Sequence, residues 1–354
     1  LYASLDGEAL DIESGSWQLG RSDWFDVLTP SNASVTIVGE VAVEPNQRLL
    51  ITTDNGALWQ GYTDDSTVVK AAGQATRTTI TATDPIGRLG QSVRAPGRVE
   101  ASGDLVARFF LVGLVAGGVT ADLVEVLDYY LTTYAPDLSI DVTEGDSTGT
   151  LPQLVDWYFD APGPMPRKTV LEIINKAEQT SNAMVTLTRT GDLLVVMRAA
   201  LAAASVTITD LDGEQASWSV TRGRTTVINH WLFERPAYDD TTVGEYSDTT
   251  SIGAYGERTY EVQDYLCTTD SHFDVGLRTA LSLPRSQVPD AVFPISDLTD
   301  PALLVQPLDW VTLDGDTYQV MNVSHAATLS GWTVTLALDA SQNSLNGVAE
   351  PTPA

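Results

Sequence analysis

Residues 307–339 predict three consecutive β-strands, and no other part of the sequence restricts the fold as strongly. Residues 310–313 and 318–323 alternate in polarity as half-buried strands do, and Gly315 between them can supply the positive φ of a tight hairpin turn. A polar bend at 325–331 then leads into a third alternating strand. Because a meander with one apolar face is not stable alone in water, we expect it to close into a barrel or a sandwich.

Residues 49–84 repeat this order of elements. The apolar run 49–53 is followed by a turn at Asp54-Asn55-Gly56, a strand with aromatic residues at 57–62, a polar segment, and a threonine-rich strand that ends at Asp84. We interpret the two stretches as a distant internal duplication, with one β-barrel near each end of the chain. Two unrelated meanders would show the same pattern, so that alternative stays open.

The composition excludes several classes of protein. A chain of 354 residues with 43% hydrophobic residues is long enough for two or more domains with sizeable cores. Its net charge of −28 repels nucleic acid, which argues against direct DNA or RNA binding but suits a wall that DNA slides past. The longest apolar run, 109–119, is about half a membrane span, so no transmembrane helix or secretory signal is predicted. Cys267 is the only cysteine, which excludes an internal disulfide.

The middle of the chain predicts a mixed α/β unit. Asp122 is a good helix N-cap, and the apolar residues of 123–134 fall on one helical stripe. A second helix is predicted at 168–178, followed by a hairpin formed by 184–188 and 193–197.

The C-terminal part returns to β patterning. Residues 206–233 predict strands, 238–252 an exposed acidic loop, and 270–281 a helix. Residues 293–305 predict a loop with a short strand before the final meander. The polar tail at 346–354 is expected to be flexible.

No catalytic, cofactor-binding or metal site is predicted. Cys267 and His272 lie five residues apart, but a thiol hydrolase also needs an orienting partner and an oxyanion site, so an ordinary buried thiol is the simpler interpretation. His230, His272 and His325 are too scattered for a metal motif, and His325 is expected to make a structural hydrogen bond in a bend. With 47 acidic residues, two close carboxylates are not an argument for glycoside cleavage.

Two acidic segments resemble calcium loops only superficially. Asp54-Asn55-Gly56 and residues 210–213 lack the distal glutamate spacing of such loops. We therefore interpret both segments as turns.

The order of parts resembles the tail hub family of long-tailed phages and archaeal tailed viruses, which includes baseplate hub and minor tail proteins. Four segments carry the resemblance: the strand 77–84, the helix and hairpin 169–198, the segment Ser-Ile-Gly-Ala-Tyr-Gly-Glu-Arg at 251–258, and the meander 315–336. In the third segment, Tyr255 is expected to pack and Arg258 to pair with a nearby acid.

The resemblance implies a mainly β (α+β) chain with two related antiparallel β-barrel domains and α/β insertions. It also implies a homotrimer, in which three copies of two similar barrels present six similar modules around an axis. The expected division of the chain is a first barrel (1–95), an inserted α/β domain (96–205), a second barrel (206–235 and 300–345), a second insertion (236–299) and a flexible tail (346–354).

The expected function is that of a non-enzymatic virion protein at the distal end of the tail. Such a hub adapts the sixfold tail tube to threefold tip proteins and forms part of the DNA channel, without specific DNA binding, cofactors or stable membrane insertion. Its expected partners are the tail tube or distal tail protein, the tape-measure protein, and tip or fibre proteins. Any hydrolase extension of the kind many hubs carry is expected on another protein.

Two alternatives remain. The first is a tail-associated hydrolase of the envelope or cell wall. The second is an adhesin for surface glycans, for which exposed aromatic clusters are expected. Most of the eight tryptophans lie in strand-like stretches that are expected to be buried instead.

Overall fold

The fold is mainly antiparallel β-sheet with few helices. The computed structural model describes residues 1–21, 26–91, 97–99, 106–109, 122–138, 140–144, 154, 157–160, 168–181, 183–197, 206–207, 217–223, 227–234, 244–263, 278, 281–298, 300–313 and 315–339. The predicted flexible tail at 346–354 and all but two residues of the predicted helix at 270–281 lie outside this part of the chain.

The first half of the fold is built from seven strands and a short helix. These are β1 (Tyr2–Leu5), β2 (Glu8–Leu10), β3 (Ile12–Gly20), β4 (Asn32–Val38), β5 (Arg48–Thr53), β6 (Gly56–Val69), β7 (Arg77–Thr83) and α1 (Pro85–Gln91). The predicted turn between β5 and β6 is confirmed, since Gly56 has a φ of 131°. Strand β6 continues well past the predicted end at residue 62 because β7 pairs with it as far as Val69.

The middle of the chain supplies two helices and small sheets. Its elements are β8 (Gly97–Val99), β9 (Val106–Phe109), α2 (Leu123–Tyr134), β10 (Val142–Glu144), β11 (Trp157–Asp160), α3 (Val170–Thr180), β12 (Ala183–Leu187) and β13 (Leu193–Met197), with a 3-10 turn at Pro136–Leu138. Both predicted helices and the predicted hairpin are present. Asp122 and Thr169 cap α2 and α3, each with a glutamate three residues later that completes a capping box.

The second half contains the predicted meander. Its elements are β14 (Val206–Thr207), β15 (Thr221–Gly223), β16 (His230–Phe233), β17 (Gly244–Ser247), α4 (Thr249–Tyr255), β18 (Thr259–Val262), β19 (Arg285–Ile295), β20 (Trp310–Leu313), β21 (Asp316–Thr328) and β22 (Gly331–Asp339), with a 3-10 helix at Pro301–Leu304. Strands β17, β16 and β18 form a small separate sheet.

One continuous sheet joins the two halves. Thirteen of the described strands belong to it, and its main path runs β15-β19-β22-β21-β3-β4-β7-β6-β5-β1-β2. The halves meet where β21 pairs antiparallel with β3, with Asn322 opposite Gly20 and Ala327 opposite Gly15. The predicted pair of closed barrels is not confirmed, because the described strands form an open sheet whose end strands do not pair with each other.

The two halves repeat the same order of strand pairing. In the first half the order is β3-β4-β7-β6-β5, and in the second it is β15-β19-β22-β21-β20. The pairing of β6 with β7 contains a bulge after Thr63, and the pairing of β21 with β22 contains one after Val320. A bulge bends and twists a strand at a defined place, so the two halves share local shape as well as strand order.

Two predicted loops are largely strand or helix instead. The bend predicted at 325–331 shrinks to a turn at 329–330, because β21 has partners on both sides, β22 and β3. The loop predicted at 238–252 contains β17 and the start of α4, whose N-cap Asp248 accepts a hydrogen bond from the backbone N–H of Ser251.

Strand β19 lies within the range predicted as the second insertion, and its last three residues, 293–295, fall in the predicted loop with a short strand at 293–305. It pairs with β22, so the main sheet takes in residues that the sequence assigned to the 236–299 insertion. Pro289 falls at its bulge, and Pro294 pairs only with Thr333 among the described strands. Both are places where a strand tolerates proline.

Candidate functional site

The junction between β3 and β21 depends on a glycine. Gly20 has a φ of 100°, and a Cβ atom on it would lie 2.1 Å from the carbonyl oxygen of Met321. The backbone N–H of the next residue, Arg21, donates to that same oxygen at 3.0 Å. The two halves therefore approach each other more closely here than a residue with a side chain would allow.

A buried cluster of rings lies beneath this junction. The ring of His325 stacks on Trp17 at a centroid distance of 4.9 Å, and Trp332 meets Trp17 edge-on at 5.8 Å. His325 is 3% exposed, and its Nδ1 has no hydrogen-bond partner among the described residues. The prediction that His325 lies in a bend is therefore wrong, because the paired strand places this side chain in the core, and its Nδ1 does not make the expected structural hydrogen bond within the described residues.

Burial keeps His325 neutral. Loss of solvent, with a smaller contribution from the nearby Arg189 guanidinium, lowers the pKa of His325 to about 3. The histidine consequently acts as an uncharged aromatic residue at neutral pH and is not available to bind an anion or transfer a proton there.

The opposite face of the same strands is polar and open. A shallow cavity of about 510 Å³ crosses β21, β3, β4 and β7 here, and its lining also includes the buried Trp17, Ala33, Ala82 and His325. The exposed or half-buried polar residues along it are Ser16, Gln18, Asn32, Ser34, Asp64, Thr81 and Ser324. Small hydroxyl and amide side chains with one carboxylate give a surface that carries no cation for nucleic acid to bind.

A buried ion pair attaches the middle of the chain to the first half. Nη1 of Arg21 lies 2.6 Å from Oε1 of Glu178 in α3, and both side chains are 3% exposed. Arg21 also donates to the carbonyl oxygens of Asp26 and Val185, while the N–H of Val185 donates to Glu178. The pair is thus surrounded by further hydrogen bonds, as a buried ion pair requires.

Further contacts hold this connection on both sides. The amide of Asn175 in α3 bonds to both the N–H and the C=O of Leu28, at 2.9 and 3.2 Å. In the β12–β13 turn, Nη1 of Arg189 donates to the carbonyl oxygen of Ala57 at 3.0 Å. The α3 helix and the β12–β13 hairpin are therefore docked on the main sheet and are not a freely hinged appendage.

A buried carboxyl closes the first meander. Asp84 is 1% exposed and accepts hydrogen bonds from the N–H and hydroxyl of Ser31 and from the N–H of Gly87 in α1. Burial raises the pKa of Asp84 to about 6, and these hydrogen bonds oppose the rise only in part. The residue that ends the predicted threonine-rich strand is thus a structural link between β7, α1 and the loop before β4.

His230 links the strands of the small sheet. Its Nε2 lies 2.9 Å from a carboxylate oxygen of Glu245 in β17, and its Nδ1 lies 2.8 Å from one of Glu257. Hydrogen bonding to Glu245, and further to Glu257, raises the pKa of His230. Because the two carboxylates contact opposite nitrogens of one ring, the arrangement favours an imidazolium between two anions.

The Ser-Ile-Gly-Ala-Tyr-Gly-Glu-Arg segment folds around Asn229. The buried Asn229 amide donates to Ser251 and to the carbonyl oxygen of Gly256, and accepts from the N–H of Arg258 at 2.8 Å. Tyr255 is half-buried as expected. Arg258 is exposed and does not make the expected ion pair within the described residues, whereas its neighbour Glu257 pairs with His230.

The described residues contain no arrangement typical of catalysis. No three His, Cys, Asp or Glu side chains within them come together in a group that could hold a metal ion. Cys267, His272 and the acidic segment 210–213 lie outside the described part of the chain. In that part, no helix is both long and apolar enough to cross a membrane.

Most of the described tryptophan side chains are in the core. Five are buried: Trp17, Trp59, Trp231, Trp310 and Trp332. Trp218 is the exception, with 39% of its surface exposed. A cluster of exposed tryptophans, as expected for a glycan-binding adhesin, is not found among the described residues.

Comparison with solved structures identifies the fold. The chain superimposes on a tail protein of Neisseria meningitidis with a TM-score of 0.63 and 13% identity, covering 96% of both chains. It superimposes on a 43 kDa tail protein of prophage MuSo2 from Shewanella oneidensis with a TM-score of 0.57 and 13% identity, covering 95% of this chain and 97% of that one.

A third similar structure comes from Escherichia coli. It is described as a component of the type VI secretion system with structural similarity to the T4 bacteriophage tail proteins gp27 and gp5. The TM-score is 0.51 at 8% identity, over 95% of this chain and 76% of that one. No family model and no curated protein matches the sequence. The chain has the fold of phage tail proteins, and the resemblance to the tail hub family that its sequence carries is confirmed at the level of the fold.

Proposed function

We propose that this chain is a structural virion protein, three copies of which form the hub at the distal end of a tail. The hub adapts the sixfold tail tube to threefold tip proteins. The single observation that carries this proposal is the repeated strand order and matched bulge of the two halves, which meet edge to edge at β21 and β3.

The geometric argument follows from that repeat. Two equivalent modules side by side in one chain present two similar surfaces to a neighbour. Three such chains around a threefold axis would present six similar surfaces, which is what a partner with sixfold symmetry needs. A single module per chain would provide only three such surfaces and leave half of the partner's contacts unmatched.

The polar face of the shared sheet supports a role in the DNA channel. Its hydroxyl, amide and carboxylate groups offer no cation to the DNA backbone, and the chain as a whole carries a net charge of −28. DNA and a tape-measure protein would pass such a wall without binding tightly, because phosphate contacts to Lys and Arg dominate nucleic-acid affinity. Tail tube or distal tail protein above and tip or fibre proteins below complete the proposed set of partners.

The proposed domain division keeps the first module at 1–95 and the inserted α/β domain at 96–205. The second module takes 206–235 and 300–345 together with β19, because that strand pairs with β22. The remainder of 236–299, which includes α4, is the second insertion.

The oligomeric mass tests this proposal. Native mass spectrometry of the purified protein, alone and mixed with its tail tube protein, should give a species of three times the 38.0 kDa chain mass. Electron microscopy of that species along its axis should show six similar lobes. A chain that stays monomeric in solution and in isolated tails would contradict the hub. Release of soluble fragments from cell-wall material by the pure protein would favour the hydrolase instead.

A further inference from the structure

Two strand edges of the main sheet have no partner within the described residues. Strand β5 pairs with β6 only as far as Tyr62, so the segment 64–69 of β6 is paired with β7 on one side alone. At one end of the sheet path, β15 pairs with β19 and has no described neighbour on its outer side. An unpaired edge offers a row of free backbone donors and acceptors to another strand.

Both edges carry apolar side chains that are open to solvent. In β6, Val68 is 38% exposed and Val69 is 54% exposed. On the strand that contains β15, Trp218 is 39% exposed and Val220 is 45% exposed. These four are among the nine exposed large hydrophobic residues in the described part of the chain. The two edges are far apart, since six strands lie between β15 and β6 in the sheet path.

The internal repeat shows what each edge corresponds to in the other half. Before the bulge, Tyr62 lies opposite Thr83 in the first half, and Gln319 lies opposite Asp339 in the second. After the bulge, Asp65 lies opposite Thr81, and Asn322 lies opposite Ala337. The offset is 257 residues in both cases (319 − 62 and 322 − 65). By this offset, Thr67 corresponds to Ser324 and Val68 to His325. The unpaired part of β6 therefore corresponds to the part of β21 that pairs with β3.

The same comparison relates β15 to β3. Ser14 is opposite Thr36, and Ser217 bridges to Val292, the residue that corresponds to Thr36 in the repeat. Thr221 is opposite Gln287, which corresponds to Asn32. Trp17 lies opposite Ala33, and one further step of that antiparallel register brings Gln18 to Asn32. Both comparisons give an offset of 203 residues (217 − 14 and 221 − 18). The aligned stretches, Ser-Gly-Ser-Trp-Gln-Leu-Gly and Ser-Trp-Ser-Val-Thr-Arg-Gly, share both serines and the final glycine.

We propose that β6 of one copy pairs antiparallel with β15 of the next copy, and so repeats between chains the junction that β21 and β3 form within one chain. The register follows from the offsets. Ser324 lies opposite Gln18 within the chain, so Thr67 should lie opposite Thr221 of the partner subunit. His325 lies opposite Trp17, so Val68 should lie opposite Val220 of the partner subunit.

This pairing explains the exposed valines. Their counterparts at the internal junction, His325 and Trp17, are 3% and 2% exposed because each strand covers the other. The contact joins two different edges of the chain and is therefore heterologous. Three copies close a ring only if each contact rotates the next copy by one third of a turn. The inference thus rests on the proposed trimer and names the surfaces that would form it.

Disulfide cross-linking tests the register. In a Cys267→Ser background, Thr67→Cys combined with Thr221→Cys should give covalent dimers and trimers under mild oxidation, since directly opposed residues of paired strands lie within disulfide reach. The matched control is Ser324→Cys combined with Gln18→Cys, which should form a disulfide within one chain. Leu329→Cys, in the exposed β21–β22 turn, combined with Thr221→Cys should not link chains.

A second pair of variants measures the contact without cross-links. Val68→Asp or Val220→Asp should raise the dissociation constant of the trimer by about tenfold or more, because a carboxylate would be buried against an apolar residue. Leu329→Asp should leave it unchanged. A trimer of native mass that neither cross-links through residues 67 and 221 nor responds to either aspartate would overturn the strand pairing and leave the proposed hub intact. A permanent monomer would overturn both.

Discussion

Acid should destabilise this protein through His325 before most of its carboxylates begin to titrate. The folded chain holds this imidazole neutral, with its pKa lowered from 6.5 to about 3. The unfolded chain takes up a proton near pH 6.5, whereas the folded chain does not. Stability contributed by neutral His325 is therefore fully present above that pH and is lost as the pH falls from about 6.5 towards 3.

The expected loss at about pH 5 is about 2 kcal/mol, from 1.36 kcal/mol for each pH unit below the unfolded pKa of 6.5. This figure changes little if the folded pKa is one unit higher, because the folded state still binds almost no proton at that pH. His325→Phe keeps a flat ring beside Trp17 and removes the titration. The packing cost of this substitution does not depend on pH, so it cancels when the free energies of unfolding at neutral and at acidic pH are compared.

The assay is urea unfolding followed by tryptophan fluorescence, at about pH 7.5 and about pH 5, for the wild type and His325→Phe. The variant should lose about 2 kcal/mol less on acidification than the wild type does. His230→Phe provides a control of opposite sign, because removing a histidine whose pKa is raised should increase the acid loss. If acidification lowered the free energy of unfolding equally in the wild type and in His325→Phe, the argument that burial keeps this histidine uncharged would be refuted.

Three further predictions concern the other buried or paired charges. Because the pKa of Asp84 is raised from 3.8 to about 6, the contribution of this residue to the free energy of unfolding should fall by about 3 kcal/mol as the pH rises through that interval. Asp84→Asn should remove this pH dependence in the same urea unfolding assay. The imidazole of His230 should titrate above pH 6.5 by NMR, and Glu245→Gln should lower that pKa, whereas an unchanged value would exclude the contact. Removing the side chain of Arg21 should cost about 3–5 kcal/mol of unfolding free energy, and replacing Arg21 and Glu178 together with methionines should cost much less. Equal costs for the single and double variants would show that the two charges are not coupled.

Local signals were sufficient to predict many of the elements. Asp122 and Thr169 begin helices because their side chains accept the backbone hydrogen bonds of the first turn, and that preference is visible in the sequence. Gly56 and Gly315 occupy turns with positive φ for a similarly local reason. The repeated order of strand, glycine turn and strand in 49–84 and 307–339 was visible for the same reason.

The contacts that organise the whole molecule have no local signal. The pairing of β21 with β3 joins residues that are roughly 300 positions apart, and nothing in either strand specifies the other. Arg21 and Glu178 are separated by 157 positions and are brought together by the docking of α3. His325 sits among polar and small residues that favour a bend, and only a partner on each side of β21 makes it part of the core.

The open part of β6 has a consequence for the chain before it assembles. A bare strand edge accepts foreign strands as readily as the intended one, and aggregation is the usual result. Asp64 and Asp65 stand at the beginning of this edge, and Lys70, paired with Glu40, stands at its end. With a net charge of −28, unassembled copies repel one another in dilute buffer. Salt shortens the range of that repulsion, so purification at high ionic strength should be where this protein precipitates most readily.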